Sequence, residues 1–221
     1  MRREMTTDEL LEQYASGIRE FSNVEILIPC DRLNIHDPVA MRPLQGANLS
    51  GSNFRDADFR YAGELDGVIF READLRGAFF GGGLMWNVNL SFADLRGAHM
   101  QHADFGRSNF SYAKLQGTDF SCATLHKVDL TGVDMQDAIL HRTNLSGNLQ
   151  RVNLSGADLT YADLTGLDLS YANLSNVILR GTQMSNVNLT GANLEGAQIE
   201  SLYLSKVTMP DGSIRNDGWT S

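Results

Sequence analysis

A five-residue period runs through most of this chain and constrains its fold more than any other feature. Large apolar residues recur at every fifth position from Leu44 to Phe59, from Leu65 to Leu145 and from Leu149 to Met209, giving 34 centres that are all Leu, Phe, Met or Ile. A step of five fits neither the period of a helix, about 3.6 residues, nor the alternation of a strand. We therefore expect a chain that turns a corner every five residues and buries its centres against stacked neighbours.

The residues around each centre follow a pattern of their own. The residue two positions before a centre is usually small, the one directly before it is usually Asp or Asn, and the one directly after it is often Ser, Thr or Arg. Typical copies are Ala157-Asp158-Leu159 and Ala172-Asn173-Leu174. This pattern, A-(D/N)-L-x-x over residues 44–209, resembles that of the pentapeptide-repeat family.

The resemblance implies an all-β fold, a right-handed quadrilateral parallel β-helix of about eight coils. Each centre and the small residue two before it would point inwards. We number the four faces from Leu44, Leu49, Phe54 and Phe59, in that order. The segments 11–21 and 209–214 are similar to the cyanobacterial branch of the family, which includes a protein that promotes heterocyst differentiation and whose members mostly lack an assigned activity.

The period breaks at two places. Phe59 and Leu65 are six residues apart, and Leu145 and Leu149 are four apart. We interpret these breaks as one residue inserted near Gly63 and one deleted near Gly147, because glycine suits a backbone that bulges or turns tightly. If all four faces continue across both breaks, the inserted residue lies at the corner between face four and face one.

The two ends of the chain predict structures that differ from the repeat. Residues 1–43 are expected to hold a capping α-helix over residues 7–16, started by a capping box of Thr6 and Glu9 and stopped by Gly17, and then an excursion loop over residues 27–43. The repeat would occupy residues 44–209, and residues 210–221 would form a tail in which Trp219 folds back over the far end. The apolar side chains expected to cover the first coil are Leu10, Leu11, Tyr14 and Ile18, with Phe21 and Ile26 leading into that coil.

Composition narrows the function classes. The net charge of −9 argues against direct nucleic-acid binding, since phosphate contacts need clustered Lys and Arg. The two cysteines, Cys30 and Cys122, lie far apart and indicate a reduced, intracellular protein. The sequence has no apolar run typical of a signal peptide or membrane span. We expect a cytoplasmic protein without membrane contact that is a monomer or a homodimer.

No catalytic or phosphate-binding pattern is present, and the Asp residues before the centres are explained by the repeat. We therefore expect no enzymatic activity, no cofactor and no metal. A metal site of His102, Cys122 and His126 is an alternative, because adjacent coils bring such side chains near each other, but these residues lack the spacing of a metal-binding motif.

The most informative surface positions are those where the outward pattern fails. They gather at the corner between face four and face one, where apolar, aromatic and His residues replace small polar ones. Exposed aromatic residues with a polar rim are typical of protein interfaces. Random exceptions on an unconstrained surface are the alternative. We name these residues the corner patch: Phe79, Leu84, Trp86, His99, His102, His126, Ile139, His141 and Arg142.

The sequence thus predicts a non-enzymatic interaction, scaffold or regulatory protein that presents a rigid surface to a protein partner. An alternative follows from the resemblance, because some pentapeptide-repeat proteins mimic DNA with an acidic rod and bind DNA gyrase. Asp74, Asp94 and Asp134 form a column on face three that is interrupted by Lys114. Arg residues two positions after the first two Asp residues dilute this column and favour a mixed-charge face.

Overall fold

Parallel stacking of the chain on itself, about one coil every 20 residues, dominates the computed structural model, which describes residues 2–28, 43–147, 149–216 and 218–219. Isolated parallel bridges join the residue before one centre to the residue before the corresponding centre in the next coil, as in Asp74 with Asp94 and Asn89 with Asn109. The bridges form four columns that run along the stack of coils, one column on each face. The predicted five-residue corner and four-sided parallel stacking are therefore confirmed.

Each corner is a β-turn closed by the backbone. The N–H of the residue three after a centre donates to the carbonyl of that centre, as Ala157 does to Leu154 at 3.1 Å. The Asp or Asn before a centre accepts a further bond from the N–H two residues later, as Asp158 does from Thr160 at 2.9 Å. This local bond stabilises the turn and explains why the repeat prefers Asp and Asn at that position.

The core is a continuous column of apolar side chains. Every centre is buried except Leu194, which is half-buried. Aromatic rings fill the first coils, with Phe54 and Phe70 meeting edge to face at 5.8 Å between ring centroids and Phe59 stacked on Phe80 at 4.9 Å. Such packing combines burial of large apolar area with favourable ring geometry.

The two breaks of the period are absorbed locally, and all four faces continue across them. At the first break Ala62 fills the buried inward position, so the extra residue lies between Ala62 and Leu65. At the second, Asp134 still pairs with Asn153, although these two residues are 19 apart. The chain shortens its coil by one residue without losing register.

Regular helices and strands are few and short. They are β1 (Arg3–Thr6), α1 (Thr7–Ala15), β2 (Val24–Leu27), β3 (Thr124–Leu125), β4 (Asn144–Leu145), β5 (Met184–Ser185), β6 (Leu202–Ser205), β7 (Val207–Thr208), β8 (Ile214–Arg215) and β9 (Gly218–Trp219). The pairs β1–β2, β3–β4 and β5–β6 are parallel. Because a corner follows every five residues, most of the stacking consists of single bridges.

The N-terminal helix follows the sequence prediction closely. Thr6 accepts from the N–H of Glu9, and the Glu9 carboxylate accepts from the N–H of Thr6, which completes the predicted capping box. The helix ends one residue earlier than predicted, with Ser16 as its C-cap. Leu10 is fully buried, but the prediction that Ile18 covers the core is wrong, because its side chain is 43% exposed beyond the end of the helix.

The segment that leads into the repeat differs in part from the prediction. Phe21 and Ile26 are buried as expected, and Phe21 stacks on Phe54 at 5.1 Å. Strand β1 was not predicted from its largely polar sequence. Leu27 belongs to β2 and not to the expected loop, whereas residues 29–42 of that loop lie outside the described residues.

The C-terminal segment folds back along the last coil. Strand β9 pairs antiparallel with β6, and β8 pairs antiparallel with β7. The backbone of Trp219 therefore returns to the end of the stack as expected, opposite Leu202. Within the described part of the chain, no helix is long and apolar enough to cross a membrane.

Candidate protein-interaction surface

The repeat places the corner patch on two adjacent columns. Phe79, His99, Asp119 and Ile139 follow one another down face four through parallel bridges. Leu84, the first patch residue on face one, pairs with Asp104 in the next coil. Because neighbouring coils lie about 4.8 Å apart, residues distant in sequence share one surface. The structure divides the patch into three groups with different surroundings.

The first group is built around Phe79, which is already covered by the chain itself. The Phe79 ring stacks on His99 with 4.4 Å between ring centroids. The guanidinium of Arg2, which belongs to the N-terminal segment, lies 4.2 Å from the centroid of the Phe79 ring. Arg2 and Arg60 both bind the buried carboxylate of Asp58. Phe79 is therefore half-buried, and less of it is open to a partner than its sequence position suggests.

A groove of about 450 Å³ lies beside this stack. The groove is lined by Gly81, Gly82, His99, His102 and Arg60, together with Phe79 and Gln101.

Asp119, directly below His99 in the same column, is held as a carboxylate. Burial raises the pKa of Asp119, but hydrogen bonds from Ser121 and Gln101 outweigh burial and leave the pKa below its ordinary value. The Gln101 amide lies 2.7 Å from the Asp119 carboxylate and 3.5 Å from Nδ1 of His99. These residues form a polar network along face four.

The second group, Leu84 and Trp86, is the most open part of the patch. Their side chains are 49% and 53% exposed. Trp86 contributes to two grooves, one of about 270 Å³ shared with Leu84 and one of about 380 Å³ shared with His126. His126 is exposed, and its Nδ1 lies 3.2 Å from the hydroxyl of Ser146. The structure therefore brings together Leu84, Trp86 and His126.

The third group, Ile139, His141 and Arg142, lies in later coils, nearer the C-terminal end of the stack. His141 meets the ring of Tyr161 edge to face at 5.8 Å, and the guanidinium of Arg142 lies 5.7 Å from the centroid of that same ring. Ile139 is 40% exposed in the neighbouring column. These residues share a surface with Tyr161, a residue that the sequence analysis did not select.

Several surface residues that matter at this corner were missed from sequence. Glu64, Asp66 and Asp104 line the two grooves of Trp86. Asp66 stands about one coil before Trp86, and Asp104 about one coil after Leu84, so coil alignment was the signal that could have found them. They were overlooked because Asp is the ordinary residue of the repeat at the position of Asp104.

Two of the three aspartates in the acidic column on face three are paired with neighbouring arginines. Arg76 forms a two-pronged ion pair with Asp74, and Arg96 does the same with Asp94. The hydrogen bond from Arg76 holds the pKa of Asp74 below its ordinary value, against the opposing effect of burial. Asp134 accepts from the side-chain amides of Gln116 and Asn153 instead. Pairing of two of the three aspartates reduces the negative potential of the column and weakens the case for mimicry of DNA.

The metal alternative finds no support in the geometry. Among the residues that the structure describes, no group of three or more His, Cys, Asp or Glu side chains is arranged to hold a metal ion. Cys122 is a half-buried free thiol.

Comparison with known proteins places the chain in a class. The family model for pentapeptide repeats matches in eight copies, over residues 44–77, 73–111, 89–126, 108–147, 148–170 and 168–201. This chain belongs to the pentapeptide repeat family. No curated protein sequence matches it closely enough to count as a relative.

Solved structures of pentapeptide repeat proteins also match. HetL from the cyanobacterium Nostoc sp. strain PCC 7120, described as involved in heterocyst differentiation regulation, is 26% identical over 96% of this chain and 100% of its own, with a TM-score of 0.39. QnrB1, a plasmid-mediated fluoroquinolone resistance protein, is 18% identical over 88% of this chain and 91% of its own, with a TM-score of 0.40.

A pentapeptide repeat protein from the Arabidopsis thaliana thylakoid lumen is 28% identical over 57% of this chain and 68% of its own, with a TM-score of 0.20. Because these TM-scores are low, the family assignment rests on the repeat model.

Proposed function

We propose that this chain is a non-enzymatic interaction protein that presents the corner patch to a protein partner. The observation that carries the proposal is the exposure of Leu84 and Trp86 side by side, between two grooves, on an otherwise polar face. Large aromatic and apolar residues in such a setting are the usual anchors of protein interfaces.

The exceptions to the repeat at this corner also cost local stability. Asp104 accepts a bond from the N–H of Gly106 at 3.0 Å, which is the standard turn bond of the repeat. Leu84 and Ile139 occupy the same repeat position and have no acceptor for that bond. Each of these two sites therefore lacks a turn hydrogen bond that would stabilise the fold by about 0.5–1.5 kcal/mol. A role in binding would explain why an exposed apolar side chain is kept there despite this loss.

The grooves on both sides of Trp86 make the surface concave, which helps a partner to bury the ring. Phe79 and His99 contribute differently in this proposal. Their stack, closed by Arg2, serves as a rigid wall of the patch, while Leu84 and Trp86 make the contact. The His and Arg residues of the patch form its polar rim.

The test is capture of partners from a cell extract by the immobilised protein. Trp86→Ala should remove a specific captured partner, and Tyr112→Ala is the matched control, because Tyr112 is 55% exposed at a different corner. Both variants remove exposed rings, so each should change the free energy of unfolding by no more than about 1 kcal/mol. Equal capture by the wild type and Trp86→Ala would refute the proposal.

The proposal includes finer features of the fold and the setting. We take the β-helix to be right-handed with about eight coils, as the family resemblance implies, and α1 to cap the first coil. The burial of Leu10 and the hydrogen bond from Tyr14 Oη to the carbonyl of Ser50 support the capping role. The scarcity of cysteine favours the cytoplasm, here of a cyanobacterium, as the setting of the contact.

A further inference from the structure

Six exposed or half-buried aromatic rings in the described part of this chain have one of its own arginines beside them. The guanidinium carbon lies 3.6 to 5.9 Å from the ring centroid in these pairs. They are Arg2 with Phe79, Arg19 with Tyr14, Arg60 with Tyr61, Arg71 with Phe92, Arg142 with Tyr161 and Arg151 with Tyr171. Tyr112 instead stacks on Phe92 at 5.1 Å.

Trp86 is the exception. Its indole is the aromatic side chain with the strongest attraction for a cation, and it is 53% exposed. Within the described residues, however, no Arg or Lys of the chain lies over its ring, and no other ring stacks on it. The repeat therefore leaves its best cation-binding face open.

Carboxylates stand on both sides of this open face. Glu64 and Asp66 line the groove of about 270 Å³ on one side of Trp86, and Asp104 lines the groove of about 380 Å³ on the other. Among the described residues, the Asp66 carboxylate accepts from two neutral side-chain amides, Asn87 at 3.0 Å and Gln45 at 3.3 Å.

Asp104 accepts the N–H of Gly106. Neither Asp66 nor Asp104 forms an ion pair with any described residue, in contrast to Asp58, Asp74 and Asp94.

The charge around Trp86 is negative after its basic neighbours are included. Arg107 and His126 also line the larger groove. Asp66 and Asp104 against the guanidinium of Arg107 leave a net negative charge about the indole when His126 is neutral. A positive group that approached Trp86 would meet the ring face and the carboxylate of Asp66 or Asp104.

We propose that Trp86, Asp66 and Asp104 form a receptor for a basic side chain, so that the partner docks here with an Arg or Lys in an exposed, positively charged segment. This inference rests on the proposed function and specifies the chemistry of the partner. The guanidinium of an arginine would lie over the indole while the carboxylates accept its N–H groups, as the chain's own arginines pair with carboxylates elsewhere on the rod.

The direct test uses the fluorescence of Trp86 and a short arginine peptide. The chain has two tryptophans, so Trp219→Phe leaves Trp86 as the sole indole. Titration with acetyl-tetraarginine amide at low salt should change the emission saturably and more weakly as salt is added, because exposed charges are screened. The tetraglutamate and tetraserine peptides should produce no saturable change.

Charge removal supplies the matched comparison. In the same background, the double change Asp66→Asn and Asp104→Asn should raise the half-saturation concentration of the arginine peptide by about fivefold or more, given an effect of up to about fivefold per exposed carboxylate. Asp163→Asn is the control, because Asp163 occupies the repeat position of Asp104 on the same face and makes the same turn bond at 2.9 Å. Asp163→Asn should change the half-saturation concentration of the arginine peptide by less than about twofold.

The outcomes separate this inference from the proposed function. Unchanged arginine binding in the double variant, or equal responses to the three peptides, overturns the inference. Loss of partner capture by Trp86→Ala together with full capture by the double variant keeps the proposed function and rejects the basic segment. Full capture by Trp86→Ala rejects the proposed function, whatever the peptide titration yields.

Discussion

Gly147 is the residue whose substitution tests most sharply how the chain shortens a coil. It lies at the second break of the period with a φ of +144°, a conformation that only glycine adopts readily. A Cβ added there would lie 2.6 Å from the carbonyl oxygen of Val128 in the preceding coil, well inside the closest contact of about 3.0 Å that real Cβ atoms show. Backbone atoms, and not a flexible side chain, would have to move.

The expected cost of Gly147→Ala has two parts. Holding alanine in this region of φ costs about 1–3 kcal/mol, and displacing a packed backbone adds about 1–3 kcal/mol. For a chain of this size each kcal/mol lowers the melting temperature by about 2–4 °C. A loss of about 2–6 kcal/mol therefore predicts a melting temperature lower by about 4–24 °C.

Gly117→Ala is the matched control. Gly117 has a φ of +64° at a regular corner, and a Cβ there would meet nothing within 4 Å. The expected cost is about 1–2 kcal/mol, the ordinary penalty for the left-handed region, which His102 and Cys122 already accept at equivalent corners. Thermal unfolding followed by circular dichroism compares the two variants. Equal losses would show that the shortened coil imposes no special constraint at Gly147.

Two further predictions concern buried polar groups. Ser108→Ala should lower the free energy of unfolding, measured by chemical denaturation, by about 1–2 kcal/mol, because the Ser108 hydroxyl donates to a carbonyl in the preceding coil at 2.8 Å. Ser52→Ala is the control and should be neutral or slightly stabilising, because the buried hydroxyl of Ser52 has no partner among the described residues. Asp58→Asn should cost about 1.5–3 kcal/mol at pH 7, because Arg2 and Arg60 both bind its carboxylate. Burial raises the pKa of Asp58, but its arginine partners outweigh burial and lower that pKa in the folded protein. The contribution of the Asp58 carboxylate to stability is therefore complete above its pKa in the unfolded chain, near 4, and is lost as the pH falls through its lower pKa in the folded protein. The difference in stability between wild type and variant should therefore shrink below about pH 4, and a difference that is constant with pH would contradict this account.

The five-residue period was enough to predict the stacking and the core. Centres spaced by five can be buried together only if the chain turns at every unit, and the regular small residue two positions before each centre leaves room inside the turn. Even the irregular coils kept their faces, because a shift of one residue in a corner does not change which side chains point inwards. Strand β1 escaped prediction, since its pairing with β2 depends on a neighbour that follows a whole helix later.

The surface was only partly predictable. Coil alignment identified Trp86 and Leu84 as departures from the repeat, but it treated Phe79 as their equal. The difference arises from Arg2, which reaches the face of Phe79 only because β1 lies along the first coils. Ile18 was assigned to the core from helical spacing, yet the helix ends before it.

By itself, the sequence determined the coil, the inward side chains and the capping box, because each depends on residues within a few positions of one another and on a repeated unit. Only the tertiary structure decided which outward side chains are covered and which are open. Arginines from neighbouring coils or from the N-terminus lie beside most of the outward rings, and Asp66 and Asp104, each about one coil from Trp86, line the two grooves on either side of its indole. Those contacts depend on the stacking register of the coils and the path of the terminal segment, which local patterns do not encode.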